Sequence, residues 1–472
     1  MEIIGRYDEK YALQQYVESD KPEFVAVYGR RRVGKTFLIK EFFKQSFSFY
    51  ISGMANATKE EQLENFNATL TFYGKMPYPR VGSWMESFRQ LIHLLEYNRK
   101  KGKKVIFIDE LPWLDTPRSG FITGLEYFWN TWASAQPDIL LITCGSSTSW
   151  MINKLLKNHG GLHNRVTRRM AIEPFTLAEC EEYFLYKKIV MSRKSIVECY
   201  MIFGGIPFYF SLFEKGLSLA QHVDKLCFAK NGQLRDEFSI LYSSLFKNPQ
   251  HHELVVKTLA KKKMGLTRDE IIQGTKLQGG GLTAVLEELE QCHFIRSYHA
   301  YEKKSKKRLY QLIDFYSLFY FNFMKNNKPN DEHFWTKLVS NAKHYTWTGY
   351  AFEQVCLQHV SQIRQKLGIS GMLTYSAAWR SKKSKPAAQI DLLIARNDGV
   401  INLCEMKYAE GEFVIDKEID ENLRNKKSTF ISEEKVRKTV HITMVTTYGV
   451  KHNEYWGNVQ SEVKMDDLFV KK

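Results

Sequence analysis

The chain has 472 residues, 44% hydrophobic and 25% charged, enough to bury a large core in more than one domain. Lys and Arg outnumber Asp and Glu 68 to 52, and the formal net charge of +16 favours a polyanionic partner, a nucleic acid or an anionic surface, with a merely solvated basic surface as the alternative. Seven scattered cysteines without a C-x-x-C pair argue against a disulfide framework and a zinc site; no apolar run reaches membrane-spanning length, and Met1-Glu2-Ile3-Ile4-Gly5-Arg6 is not a signal peptide, so the expectation is a reduced, cytoplasmic protein with no membrane partner.

In chain order, Gly5-Arg6-Tyr7-Asp8 opens a helix, with Asp8 as candidate cap and Tyr11, Leu13, Tyr16 and Val17 as candidate inward residues. Phe24-Val25-Ala26-Val27-Tyr28 then reads as a buried strand. It ends in Gly29-Arg30-Arg31-Arg32-Val33-Gly34-Lys35-Thr36, after which Phe37, Leu38, Ile39, Phe42 and Phe43 recur at helical spacing. Strand, glycine-bounded loop and helix are the setting of a phosphate-binding P-loop. Its glycines let backbone N–H groups turn toward a phosphate, and the helix N-terminus adds positive charge. The stretch from Gly29 through Phe37 is therefore the candidate ATP site, with Lys35 reaching the β- and γ-phosphates and Thr36 offering its hydroxyl to Mg²⁺.

Phe47–Ile51 reads as a second strand, and a charged helical region runs to the basic cluster Arg99-Lys100-Lys101-Gly102-Lys103-Lys104, which reads as a solvated loop. Val105-Ile106-Phe107-Ile108-Asp109-Glu110 is a strand buried on both faces, with two carboxylates at the C-terminal edge where open α/β sheets bind ligands. Beside a P-loop it reads as a Walker B element: Asp109 for Mg²⁺, and Glu110 to polarise the water that attacks the γ-phosphate. Phe121, Ile122, Leu125, Phe128, Trp129 and Trp132 share one helical face, a core stripe. Ile139–Cys144 is a further buried strand ending in Gly145-Ser146-Ser147. In AAA+ P-loop ATPases a polar residue at this strand end senses the γ-phosphate; Ser146 or Ser147 fits that place, and equally fits a helix cap. Among the arginines of 160–169, Arg165 is preferred over Arg168 and Arg169 as a transition-state arginine, acting in its own subunit or in a neighbour. From Thr176 to about Phe246 the pattern is helical, broken at Gly204-Gly205-Ile206-Pro207, as in a lid beside the nucleotide.

The P-loop, Ile108-Asp109-Glu110, Gly145-Ser146-Ser147 and Gly204-Gly205-Ile206-Pro207 together resemble the archaeal-type ATPase family, a branch of the AAA+/STAND P-loop ATPases. The resemblance covers nearly the whole chain. It implies an ATP-binding α/β domain with a helical lid, then a winged helix, then a nuclease-like domain, and nucleotide at the interfaces of a homo-oligomer.

Residues 252–325 carry the winged-helix pattern in their own right. Three helices have their apolar faces at Leu254, Val255, Thr258 and Leu259, at Leu266 to Ile272, and at Leu282, Val285, Leu286 and Leu289. A hairpin of 294–298 and 309–313 follows, with Lys303, Lys304, Lys306, Lys307 and Arg308 at its tip. A basic tip suits phosphates, whereas Glu287, Glu288 and Glu290 on the third helix would repel DNA, so a purely structural winged helix fits as well. Residues 326–331 read as a linker. Gly349 then begins a helix with Glu353, and strands around 372–375, 389–394 and 401–407 follow, the last two joined by Asn397-Asp398-Gly399. Period two puts Glu405 and Lys407 on one face, with Asp391 beside them on the paired strand. This resembles the PD-(D/E)xK nuclease core, which implies Asp391 and Glu405 as Mg²⁺ ligands, Lys407 positioning the attacking water, and Glu353 as an additional acid. The adjacent Arg380-Ser381-Lys382-Lys383-Ser384-Lys385 suits a nucleic-acid backbone or a solvated loop equally.

The expected architecture is α/β: a P-loop parallel sheet at 1–175, a helical lid at 176–248, a winged helix at 249–326, and a smaller α/β nuclease-like domain at 333–472. The expected function is an ATPase coupling nucleotide state to DNA binding or Mg²⁺-dependent cleavage; the alternative is a non-cleaving, nucleotide-dependent assembly or signalling switch.

Overall fold

The computed structural model describes residues 2–98, 101–157, 160–162, 164–299, 301, 308–325, 327, 331–339, 341–381 and 388–471. Arg99, Lys100, the hairpin-tip Lys303, Lys304, Lys306 and Lys307, most of the 326–331 linker, and Lys382, Lys383, Ser384 and Lys385 lie outside the described residues. The chain divides into two compact units, Met1–Pro174 and Phe175–Lys472.

In the first unit β1 (Glu23–Tyr28), β2 (Phe49–Ser52), β3 (Lys104–Asp109), β4 (Ile139–Cys144) and β5 (Arg168–Ala171) form a parallel sheet in the order β2-β3-β4-β1-β5. The continuous apolar runs are explained by helices on the faces of the sheet: every residue of β4 is buried. The helix Trp84–Tyr97 begins at Ser83, whose hydroxyl accepts from the Glu86 N–H at 3.3 Å. It packs Trp84 and Phe88 against Phe121 of the helix Phe121–Thr131, at ring distances of 4.9 and 5.9 Å. Phe121, Leu125, Phe128 and Trp129 are buried, so the aromatic stripe is core. The first helix, Tyr7–Glu18, departs from expectation. It is entered through Arg6 in the left-handed region (φ 54°) without a side-chain cap, so Asp8 lies inside the first turn, and Tyr11 is 69% exposed; only Leu13 of the expected inward set is fully buried.

The second unit opens with helices. Its Gly205 carbonyl accepts from Phe175 N–H at 2.6 Å, and a Cβ on Gly205 would lie 1.9 Å from the Phe175 carbonyl oxygen, so only glycine fits this approach. The helices Pro249–Leu259, Arg268–Thr275 and Gly279–Gln291 accompany a small antiparallel sheet of β6 (Leu266–Thr267, between the first two helices), β7 (Ile295–His299) and β8 (Arg308–Leu312), in the order β6-β8-β7. Two acids of the third helix are engaged within the protein: Glu288 contacts His252 Nε2 at 2.7 Å, and Glu290 accepts from Ser297 N–H at 2.9 Å.

Thr267 and Glu270 form a capping box at the start of Arg268–Thr275, and Lys262 Nζ donates to Glu270 at 2.6 Å. Lys262 first, then the Thr267 hydrogen bonds, hold the Glu270 carboxyl down at about 2 against its partial burial. The folded value lies below the unfolded one, so this contribution is present above the ordinary carboxylate range and disappears as pH falls toward 2. Because the pair is over a third exposed, screening keeps it small. Glu270→Gln is expected to cost about 1 kcal/mol near neutrality, with the gap between the two melting midpoints closing as pH is taken from about 5 to about 2.

The last sheet comprises β9 (Thr374–Arg380), β10 (Gln389–Arg396), β11 (Val400–Lys407), β12 (Thr439–Thr446) and β13 (Ser461–Lys464), in the order β13-β12-β11-β10-β9. β9, β10 and β11 pair antiparallel, whereas β11, β12 and β13 pair parallel, with the helix Lys417–Glu434 crossing between β11 and β12. The helix Ala342–Gln358 starts seven residues before Gly349, which sits in its interior.

Candidate functional site

The candidate residues gather in two clusters, one in each unit. In the first, β1 and β3 leave the same C-terminal edge of the sheet with β4 between them. Gly29 has φ 139°, and a Cβ there would lie 2.3 Å from the Ile172 carbonyl oxygen, so β5 backs directly onto the loop. Arg32 and Gly34 also take positive φ, 71° and 90°. A non-glycine residue held there costs about 1 kcal/mol or more, which the surrounding structure must impose. Lys35, the first residue of the helix Lys35–Phe42, is buried and donates to the Gly29 and Arg30 carbonyls at 2.8 and 2.9 Å. Thr36 Oγ1 donates to Asp109 Oδ2 at 2.9 Å. The candidate phosphate lysine, hydroxyl and strand-end acid thus meet on one edge.

Asp109 is buried, and burial pushes its carboxyl above the ordinary value, with the Glu110 charge adding and the Thr36 hydrogen bond opposing. Glu110 takes φ 46° immediately after β3, which swings its side chain to Ser146: Ser146 Oγ and N–H donate to Glu110 Oε2 at 2.8 and 3.3 Å. Ser146 therefore adjoins the candidate base, while Ser147 precedes the short helix Thr148–Trp150 without a side-chain cap bond. Arg30 and Val33 are buried, Arg31 and Arg32 are half-buried, and Phe37 is 37% exposed.

Arg165 needs correction as an arginine acting within its own subunit. β1 and β5 run parallel with Val25 opposite Arg168 and Tyr28 opposite Ala171, so Arg165 lies before the N-terminal end of β5, six residues short of Ala171 and at the edge of the sheet away from the P-loop. Arg168 is committed to Glu23 at 3.1 Å, and Arg169 is exposed. Arg6 is a contributor that the sequence pattern does not single out. Its guanidinium donates to the Val33 carbonyl at 3.0 Å and pairs with Glu9 at 3.3 Å, bracing the loop from the first helix.

In the second unit Leu392 pairs with Cys404, which sets Asp391 across from Glu405 on the opposite face. A register shift between Ile390 and Leu393 on the β9 side puts a bulge at Asp391, a device that re-aims a side chain. Glu405 is buried, and its two oxygens are held by Lys407 at 2.9 Å and by Lys426 of the helix Lys417–Glu434 at 2.7 Å. Gln389 donates to Asp391 at 2.7 Å. Neither Lys426 nor Gln389 carries a signal in the sequence pattern; Lys426 is brought in only by the crossover helix.

The charges are strongly coupled. Burial pushes Glu353 up to about 8, Asp391 and Glu405 adding repulsion. Asp391 is also raised, by burial and then Glu405. Burial would raise Glu405 too, but Lys426 and Lys407 outweigh it and hold it below its ordinary value. Burial would lower Lys407, and Glu405 reverses this. Two crowded acids whose carboxyls are pushed up, beside one carboxylate held down by two lysines, form a site where an added positive charge would be favoured. Among the described residues, no three His, Cys, Asp or Glu are grouped as metal ligands.

All seven cysteines are buried, none in a disulfide. Among the described residues no helix is long and apolar enough to cross a membrane.

Residues 5–213 match a family model described as an ATPase domain predominantly from Archaea. The chain is 25% identical over 367 residues to the uncharacterized protein MJECL04 of Methanocaldococcus jannaschii, covering 77% of this chain and 78% of that protein. The Walker-type ATPase paby2304 of Pyrococcus abyssi superposes with a TM-score of 0.50 at 19% identity, over 68% of this chain and 96% of that one, a likeness of fold. The Aeropyrum pernix ORC2 protein, in its ADPNP–ADP complexes, gives a TM-score of 0.41 at 12% identity, over 66% of this chain and 90% of that one. With a parallel sheet that brings Lys35, Thr36 and Asp109 to one edge and a family match spanning that sheet, residues 5–213 form an ATPase domain of the kind found predominantly in Archaea, and the protein is an ATPase.

Proposed function

We propose that this ATPase couples its nucleotide state to a nuclease-like site formed by Asp391, Glu405 and Lys407. In the ATPase domain, Gly29 through Phe37 cradle the triphosphate and Lys35 exchanges its bonds to the Gly29 and Arg30 carbonyls for phosphate oxygens. Thr36 and Asp109 offer the hard oxygen donors that suit Mg²⁺, which when bound neutralises phosphate charge. Glu110 takes the proton of the attacking water while Ser146 orients its carboxylate. Arg165 serves the nucleotide of a neighbouring subunit.

The chain is organised in four parts, 1–175, 176–248, 249–326 and 333–472, with the 249–326 segment as a winged helix. The observation that carries the nuclease reading is the facing pair Asp391 and Glu405 with Lys407 two residues along the same face. Both carboxylates suit Mg²⁺, which would lower the pKa of a bound water; Lys407 would position that water. The net charge of +16 suits a nucleic acid as substrate, with DNA first. The test is a cleavage assay on DNA and RNA, with and without ATP, beside Lys407→Ala.

One observation favours a second reading, a switch that binds without cutting: Lys407 and Lys426 already neutralise Glu405. In that case ATP is expected to change the molecular mass by light scattering in the parent and not in Lys35→Ala; an unchanged mass and unchanged partner occupancy count against it.

A further inference from the structure

A cavity of about 480 Å³ adjoins the acidic face, and its far wall comes from another part of the same unit. Lys263 before β6, Arg296 and Tyr298 of β7, and Gln311 of β8 line one side; Tyr350 and Glu353 of Ala342–Gln358, with Gln389 and Asp391 of β10, line the other. The two sides are joined: Tyr301 N–H donates to the Ala378 carbonyl at 2.9 Å, and Tyr350 OH donates to the Lys263 carbonyl at 3.4 Å. The Lys263 corner is further held by Gln311 Nε2, which donates to the Lys263 carbonyl at 2.6 Å, and by Tyr298 OH, which donates to Met264.

The two cations are the informative residues. Arg296 is partly buried, its guanidinium lies 5.6 Å from the Tyr298 ring, and Gln311 Oε1 accepts from its Nε and Nη2 at 2.8 and 2.5 Å. Among the described residues no carboxylate forms an ion pair with it. Gln311 accounts for one edge of the planar fork and leaves Nη1 for a ligand. Lys263 is exposed, with its ammonium 4.9 Å from the Tyr350 ring. A guanidinium removed from water with a neutral amide partner is costly unless an anion completes its surroundings. A second cation stands at the rim, and the acids of the candidate nuclease site are on the opposite wall.

We infer that this cavity is a phosphate-recognition pocket for one unstacked nucleotide of a single strand, with Arg296 and Lys263 gripping the strand's phosphates as it passes toward Asp391 and Glu405. The volume lies in the ~300–1,000 Å³ range of clefts that enclose small ligands. A duplex, whose major groove alone is about 12 Å wide, does not enter it. Tyr345, 48% exposed at the mouth, offers a ring for a neighbouring base. The placement of the pocket beside the chemistry rests on the nuclease reading; the binding itself does not.

The test measures binding of the full-length protein to a fluorescent single-stranded 20-mer and to a blunt duplex of the same sequence, in EDTA so that no strand is cut. Arg296→Gln and Lys263→Glu are each expected to weaken single-strand binding about tenfold and to lower the slope of log affinity against log salt by about 1, with duplex binding little changed. Lys263 is on the surface, so Lys263→Glu decides the matter if Arg296→Gln does not fold. Parental single-strand affinity and salt slope in Lys263→Glu, or equal losses on both DNAs, overturn the pocket. If the variants bind normally while Lys407→Ala loses cleavage, the pocket falls and the nuclease reading stands; weakened single-strand binding in a protein that cuts nothing gives the reverse.

Discussion

Glu110→Gln is expected to lower the rate of ATP hydrolysis by about 10²–10⁴-fold while leaving nucleotide binding in place, because general-base assistance contributes about that much. The substitution keeps size and geometry. A glutamine Oε1 still accepts from Ser146, which now donates to Glu110 Oε2 at 2.8 Å, so the strand end need not rearrange. What disappears is the site that takes a proton from water. Lys35→Ala differs in kind: it empties the loop of the cation that now spans the Gly29 and Arg30 carbonyls, so binding fails together with turnover. Phosphate release read beside binding of a fluorescent ATP analogue separates the two. Parental turnover in Glu110→Gln removes Glu110 from the reaction.

Lys407→Ala is expected to reduce Mg²⁺-dependent strand cleavage at least ~10²-fold, the usual loss when one preorganised group facing developing charge is removed. The geometry makes this a clean test. Lys426 still holds the second oxygen of Glu405 at 2.7 Å, so the buried carboxylate is not stranded when Lys407 goes. Asp391→Ala is expected to match it, since it removes the facing carboxylate. The readout is gel-resolved product from labelled DNA and RNA, with melting curves showing that each variant is folded. Intact substrate with the parent protein under all nucleotide conditions ends the nuclease reading and leaves the ATPase domain untouched.

The ATPase half was legible because its chemistry is written locally. Gly29 to Thr36 supply loop, lysine and hydroxyl in eight consecutive residues, and Asp109 and Glu110 end an apolar run that only a doubly covered strand explains. The order β2-β3-β4-β1-β5 was not legible, since parallel neighbours are chosen by packing across long crossovers. Arg165 shows the cost of that gap: without the register of β5 on β1, nothing says which edge it occupies. In the second unit, alternation along β11 gave Glu405 and Lys407, and the Asn397-Asp398-Gly399 turn gave the Asp391 strand. Lys426 and Arg296 were silent because each reaches its neighbours through folding of distant segments. Gly349 misled in the ordinary way: a helix-interior glycine costs about 1 kcal/mol, so it reads as a start, and the buried face of Trp347, Tyr350, Ala351 and Val355 overrides it.

Tyr408 follows Lys407 directly, and its phenol donates to Glu198 of the helix Arg193–Phe203 at 2.6 Å, while Lys194 of that helix pairs with Glu410. The end of β11 is thereby moored on both sides of a two-residue span to a helix that stops at Gly204. A sideways slip or roll of that helix must either break the phenol–carboxylate bond or draw the strand terminus along, so the stance of the lysine is geared to a segment more than two hundred residues upstream.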